Sequence, residues 1–135
     1  MRPILAASLL PLLAAGCAVN PEAQRQAELR TEQELAVTLA GRTAGTPLRC
    51  IPNYRATQME VVDDRTFLYR DGKTIYLQRP RAPCTGLANR SFTLVTKQYG
   101  TNQLCSGDIS QLVDLRTGMQ GGACVFGDFV PYTKP

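Results

Sequence analysis

The sequence contains no histidine and no tryptophan among its 135 residues. Without histidine the chain has no Ser-His-Asp triad, no Cys-His pair and no histidine-ligated metal site. Its five cysteines form no CxxC motif, so neither a thioredoxin-type dithiol nor a zinc knuckle is indicated. No glycine-rich segment is followed by the Lys-Ser/Thr of a phosphate-binding loop. We therefore expect no catalytic, metal-binding or cofactor-binding residues.

The sequence also lacks a concentrated charge of one sign. Fifteen lysines and arginines stand against eleven aspartates and glutamates, which gives a net charge of +4. The basic residues are scattered along the chain rather than collected in a run, so they are typical of a solvated surface. We expect no nucleic-acid partner.

Residues 1–16 have the organisation of a secretory signal peptide. A single cation, Arg2, precedes a mainly apolar stretch over residues 4–15, shorter than the ~20 apolar residues that span a bilayer. The segment ends in Leu13-Ala14-Ala15-Gly16-Cys17, which resembles the lipobox of bacterial lipoproteins. That resemblance implies cleavage before Cys17 and acylation of this cysteine. The alternative is an ordinary signal peptide, cut at a small-x-small site around Gly16.

The number of cysteines agrees with the lipid anchor. Five is an odd number, and an unpaired thiol is a liability in an oxidising compartment. If Cys17 is acylated, four cysteines remain, and we expect structural disulfides among Cys50, Cys84, Cys105 and Cys124. Three pairings of four cysteines exist, and we favour Cys84–Cys124 with Cys50–Cys105.

The residue after Cys17 bears on localisation. It is Ala18 rather than aspartate, which resembles lipoproteins sorted to the outer membrane. We therefore expect an exported protein that is held to the outer membrane by its lipid and faces the periplasm.

A helix is predicted directly after the anchor. Asn20 is a good N-cap, Pro21 suits the first helical position, and Glu22 complements the helix dipole. No helix breaker follows before Gly41. We expect residues 17–45 to form a lipidated N-terminus and a helical stalk whose C-terminal turns dock on a β domain at 46–135. A coiled coil is the alternative, but the segment holds too few heptads to favour it.

Beyond the helix, strand patterns recur at intervals of roughly ten residues. Asp71-Gly72 between two β-rich segments predicts a tight hairpin, in which Tyr69 pairs with Thr74 and Leu68 with Ile75. Both faces of this hairpin carry apolar residues, so we expect it to be covered on both sides. Further strands are predicted at 59–62, 91–96, 103–105, 109–115 and 123–126. The predicted fold is mainly β, a small disulfide-stapled antiparallel barrel or sandwich preceded by an N-terminal helix.

From Gly41 to the C-terminus the chain resembles an uncharacterised family of small bacterial lipoproteins, classed as a domain of unknown function. The resemblance implies a signal peptide, a lipid anchor and a compact β domain, and it implies no activity. It rests on an ordered set of short segments: Gly41-Arg42-Thr43-Ala44-Gly45, Cys50-Ile51-Pro52, Asp63-Asp64-Arg65-Thr66, Cys84 with Gly86-Leu87, Leu104-Cys105 with Gly107-Asp108-Ile109, and Gly122-Ala123-Cys124 with Gly127-Asp128-Phe129.

Two classes of function remain. The first is a non-catalytic structural or binding module of the cell envelope, tethered through Cys17, whose partner is a protein, a glycan or a small ligand. The second is an envelope hydrolase or redox enzyme of unrecognised type. A carboxylate pair from Asp108, Asp114 and Asp128 would serve the second class, but these aspartates are more typical of turns. Exposed tyrosines would supply contacts in the first class, although tyrosine is just as often a strand residue that packs on a core. The candidates are Tyr54, Tyr69, Tyr76 and Tyr99.

Overall fold

The structure, a computed structural model, describes residues 20–53 and 58–135. In these ranges one helix, α1 (Pro21–Thr38), precedes ten short strands. The prediction of a mainly β fold with an N-terminal helix is confirmed, and the arrangement is a sandwich rather than a closed barrel. The strands are β1 (Thr43–Ala44), β2 (Cys50–Pro52), β3 (Met59–Asp63), β4 (Thr66–Asp71), β5 (Thr74–Gln78), β6 (Phe92–Thr96), β7 (Gln103–Cys105), β8 (Ile109–Asp114), β9 (Gln120–Val125) and β10 (Phe129–Thr133).

Helix α1 begins where its capping residues predict. The side-chain oxygen of Asn20 accepts the Glu22 N–H at 3.0 Å, which satisfies one of the free donors of the first turn. Near the other end Leu35 is buried against the β domain. The helix also contacts the sheet one turn before Leu35, where the Thr31 hydroxyl donates to the Asp63 carboxylate at 2.7 Å. The C-terminal half of the helix therefore docks on the sheet, as predicted.

The largest sheet has five antiparallel strands in the order β1-β10-β5-β4-β3. Its central hairpin, β4–β5, is buried on both faces as predicted. On one face Leu68, Ile75 and Leu77 pack under Leu35 of the helix. On the other face Phe67, Tyr69 and Tyr76 enter the core between the sheets. Burying a large apolar side chain stabilises by ~1.5–3 kcal/mol, so each face contributes several kcal/mol.

The hairpin between β4 and β5 forms, but the predicted register is wrong by two residues. Tyr69 pairs with Tyr76 rather than with Thr74, which leaves Gly72 and Lys73 as the central turn residues. Of these two only Gly72 has a positive φ, 55°, so the turn has glycine at its first central position, as in a type II′ hairpin. A shift of two residues preserves the alternation of side chains, and for this reason the predicted faces are correct.

Strand β10 is a finding of the structure, since the sequence patterns predict no strand after residue 126. Pro131 in its middle lacks the N–H that an interior strand residue donates. The Pro131 carbonyl accepts the Gly45 N–H at 2.7 Å, so this residue turns its backbone toward the short edge strand β1. The missing donor therefore faces the edge, and the pairing of β10 with β5 stays intact.

The second layer of the sandwich consists of two smaller sheets. One has three strands in the order β6-β8-β9, and the other pairs β2 with β7. Leu112 of β8, Ile51 of β2 and Leu104 of β7 meet the five-stranded sheet in a common core. The predicted strand at 103–105 is present with the predicted ends, and those at 91–96 and 109–115 are each one residue shorter than predicted.

Gly127 packs against the main chain that crosses the end of β9. There the Arg81 N–H donates to the Val125 carbonyl at 2.9 Å, and a Cβ on Gly127 would collide with the Arg79 carbonyl oxygen. Backbone atoms yield less than the tip of a side chain, so only glycine fits at this position.

Replacing Gly127 with alanine should lower the free energy of unfolding by ~1–3 kcal/mol, because the crossing segment must move. Urea denaturation followed by circular dichroism measures this loss. The exposed strand residue Gln120 is the matched control, and Gln120→Ala should stay within ~0.5 kcal/mol of wild type. Equal stability of the Gly127→Ala variant and wild type would contradict the packing described.

Candidate functional site

Both disulfides have the pairing favoured from the sequence. Cys50 and Cys105 are direct partners across β2 and β7. Cys84, in the loop after β5, is bonded to Cys124 of β9, and both are buried in the core. The bonds join residues 55 and 40 positions apart. In the chain-entropy model such loops contribute about 4 kcal/mol each, so the cysteines have a structural role.

The signal segment at 1–16, Cys17, Ala18 and Tyr54 lie outside the described residues. Acylation of Cys17 thus stays a prediction. No helix in the described ranges has the length and apolarity needed to cross a membrane. The same ranges hold no group of three or more His, Cys, Asp or Glu side chains placed to bind a metal ion.

The candidate carboxylates bind the backbone of their own turns. Asp108 accepts the Cys105 N–H at 2.7 Å. Asp114 accepts the N–H groups of Arg116 and Thr117 at 2.7 and 2.9 Å, and these bonds lower the pKa of its carboxyl group. Asp128 is exposed. Asp108 and Asp114 thus show the bonding of turn-forming aspartates.

The prediction that Tyr69 and Tyr76 are exposed is wrong, because their hairpin is covered on both faces. Both are buried, whereas Tyr99 is 85% exposed. The Tyr69 ring makes an edge-to-face contact with Phe129, with centroids 5.6 Å apart. Burial raises the pKa of the Tyr69 hydroxyl well above its usual value, so this group stays protonated. Like the side-chain amide of Gln78, it has no hydrogen-bond partner among the described residues.

An open groove of about 460 Å³ lies between β3 and β6, and we call it the edge groove. Among the described strands, β3 is the last strand of the five-stranded sheet and β6 is the last strand of the three-stranded sheet. The groove therefore lies where the two layers separate at one side of the sandwich. Its lining residues are Met59, Glu60, Val61, Leu87, Ala88, Arg90, Phe92, Thr93, Leu94 and Leu115.

The floor of the edge groove is an extension of the hydrophobic core. Met59, Val61, Phe92 and Leu94 are partly buried and pack against the core residues between the sheets. The Phe92 ring is held between Gly86 and Gly121, and a Cβ at either glycine would collide with the ring. The floor is consequently apolar and fixed in position.

Asp64 shapes the wall of the groove formed by the loop after Cys84. Its carboxylate accepts the N–H of Gly86 at 3.2 Å and of Ala88 at 2.9 Å. Its carbonyl accepts the Cys84 N–H at 2.7 Å. In the sequence Asp64 stands out only as part of the segment Asp63-Asp64-Arg65-Thr66. That pattern leaves open which groups its carboxylate binds.

One cation at the rim of the groove has no partner among the described residues. The Glu60 carboxylate is bonded to Arg70 at 2.8 Å, whereas the Arg90 side chain makes no hydrogen bond or ion pair within the described ranges. Arg90 is also the single non-glycine residue there with a positive φ, 59°, a conformation that few such residues adopt. The groove thus combines an apolar floor with one free positive charge.

Comparisons with known proteins add no relative: no family model, no curated protein and no solved structure matches this chain.

Replacing Asp64 with alanine should loosen the loop that forms this wall, because two backbone donors lose their acceptor. We expect faster hydrogen exchange at Gly86 and Ala88 and a loss of ~1–3 kcal/mol in the free energy of unfolding. Exchange measured by mass spectrometry and urea denaturation report the two effects. Asp128→Ala, which removes an exposed carboxylate, is the control and should change neither. Unchanged exchange at Gly86 and Ala88 would refute the role of Asp64.

The Asp114 carboxyl should titrate below the usual aspartate pKa of ~3.9. The backbone N–H groups of Thr117 and Arg116 favour its ionised form in the folded state. The stabilisation is therefore complete above the pKa of the unfolded chain and is lost as the pH falls through the lower folded value. Carboxyl NMR titration measures this midpoint, and the Asp114→Asn variant assigns the signal. A midpoint at or above the usual value would contradict the hydrogen bonds described.

Proposed function

We propose that this chain is a non-catalytic binding or structural module of the cell envelope, tethered to the membrane through acylated Cys17. The observation that carries the proposal is the completeness of the disulfide pairing. Four of the five cysteines bond to one another within the β domain, which leaves Cys17 alone without a partner in the chain. This cysteine ends the lipobox-like segment 13–17, where acylation consumes a thiol.

The disulfides also support an oxidising compartment, since such bonds persist in exported proteins and are rare in the cytosol. Helix α1 begins at Pro21, only a few residues after the anchor, so the domain follows the membrane attachment closely along the chain. Ala18 after the anchor favours the outer membrane, facing the periplasm, and the resemblance to small bacterial lipoproteins agrees with a lipid anchor.

The chemistry of the edge groove supports binding rather than catalysis. Its lining includes two charged residues, Glu60 and Arg90, and Glu60 is held in an ion pair with Arg70. The described lining contains neither a cysteine nor a serine, and its one carboxylate, Glu60, is bonded to Arg70 rather than to the Thr93 hydroxyl, so no base is placed to activate that hydroxyl. An apolar floor with one free cation suits recognition of a partner.

Metabolic labelling with an alkyne fatty acid tests the anchor. Wild-type protein should carry the label and sediment with membranes, and Cys17→Ser should lose the label because the acylated thiol is gone. The doubly substituted Cys50→Ser, Cys105→Ser variant is the control and should keep the label, since it removes cysteines that are bonded to each other. An unlabelled wild type, or label that survives Cys17→Ser, would overturn the proposal.

A further inference from the structure

We infer that the edge groove binds an extended peptide segment of a partner protein, with apolar side chains on the groove floor and a carboxylate against Arg90. The inference rests on the proposed function, since it names the class of partner for a tethered binding module. It depends on the backbone of the two flanking strands, on the floor between them and on the charge at the rim.

Consecutive residues of both strands line the groove, namely Met59, Glu60 and Val61 of β3 and Phe92, Thr93 and Leu94 of β6. Successive side chains of a strand point to opposite faces of its sheet. A cavity lined by three residues in a row therefore follows the edge of each strand rather than one face. The groove thus has a strand edge along two of its walls, and the loop after Cys84 forms another wall.

The hydrogen bonds near β6 show which backbone groups face the groove. The Phe92 N–H donates to the Gly86 carbonyl at 3.2 Å, away from the neighbouring strand β8. In an antiparallel pair alternate residues direct their backbone groups to the same side. The N–H and C=O of Leu94 consequently also point away from β8, toward the groove. They are placed to pair with a further strand.

An extended main chain is the occupant that satisfies such groups, because it presents N–H and C=O at the strand repeat. A hydrocarbon chain would fill the floor but would leave these groups without partners, which is unfavourable. The groove volume of about 460 Å³ lies in the range of ligand sites, ~300–1,000 Å³. A peptide inserted here would join the two layers through one added strand.

Charge selects the kind of peptide. Arg90 is the free cation of the groove, whereas Glu60 is neutralised by Arg70. A partner segment that carries a carboxylate near its end would complete an ion pair with the guanidinium. A second copy of this chain that pairs groove to groove fits less well, because the carboxylate that lines its groove, Glu60, is already bonded to Arg70 and would leave Arg90 without a counter-charge.

The test uses the full chain isolated in mild detergent and a set of N-acetylated, C-amidated hexapeptides in which valine and threonine alternate before a terminal aspartate. We expect saturable binding, with amide shift changes and slowed hydrogen exchange at Leu94. A peptide with lysine in place of aspartate, or protein with Arg90→Gln, should bind roughly tenfold more weakly, as expected for loss of a charged hydrogen bond. Arg116→Gln, which removes an exposed arginine of the β8–β9 turn, should bind like wild type.

Peptides N-methylated at alternate residues separate strand addition from simple apolar contact. They keep every side chain but lose every second main-chain donor, and they should bind much more weakly. The inference is overturned if N-methylated peptides bind equally well, if no hexapeptide perturbs Leu94, or if decanoic acid alone reproduces the shifts. Protection of Leu94 that grows with protein concentration without peptide would assign the groove to self-association and would also overturn it. Fatty-acid labelling is independent of these measurements, so failure of the anchor and failure of the groove are distinguishable.

Discussion

Burial of both faces of the β4–β5 hairpin is the constraint on which the rest of the structure depends. A two-stranded hairpin in water is marginally stable, and this one would expose Leu68 and Ile75 on one side and Phe67 and Tyr69 on the other. Helix α1 covers the first face through Leu35. The smaller sheets cover the second, and the two disulfides connect strands of these sheets to each other and to the loop after β5. The helix thus covers one face of the hairpin, and the disulfides crosslink the sheets that cover the other face.

The predictable part of the fold is the part that alternation and capping determine. Asn20 caps the helix as its chemistry requires, and the apolar faces of the hairpin follow from a period of two residues. Alternation leaves open a register shift of two residues, because the same faces result. Gly72 decided the register by occupying the first turn position. Strand β10 was not predicted because it contains Pro131, and a strand tolerates proline only where the missing N–H faces an edge of the sheet. Which strand lies beside an edge is decided when the whole sheet assembles, so the local sequence does not indicate it.

The edge groove was beyond the reach of sequence patterns for a related reason. Two of its walls come from β3 and β6. No local sequence pattern indicates that these two strands lie at the edges of their sheets on the same side of the sandwich. Asp64 and Arg90 carry no motif, yet one fixes the loop beside the groove and the other supplies its free charge. A charged side chain in a turn or loop has many possible partners in the sequence, and only the tertiary structure determines which of them it contacts.

The disulfide connectivity has a consequence for maturation of the chain. The bonds join the first of the four domain cysteines with the third, and the second with the fourth. A chain that emerges from its N-terminus presents Cys50 and Cys84 before Cys105 is available. Oxidation of cysteines in order of appearance would therefore produce neither native bond. Correct maturation requires either that the strands pair before the thiols are oxidised or that a thiol exchange catalyst rearranges the first crosslink.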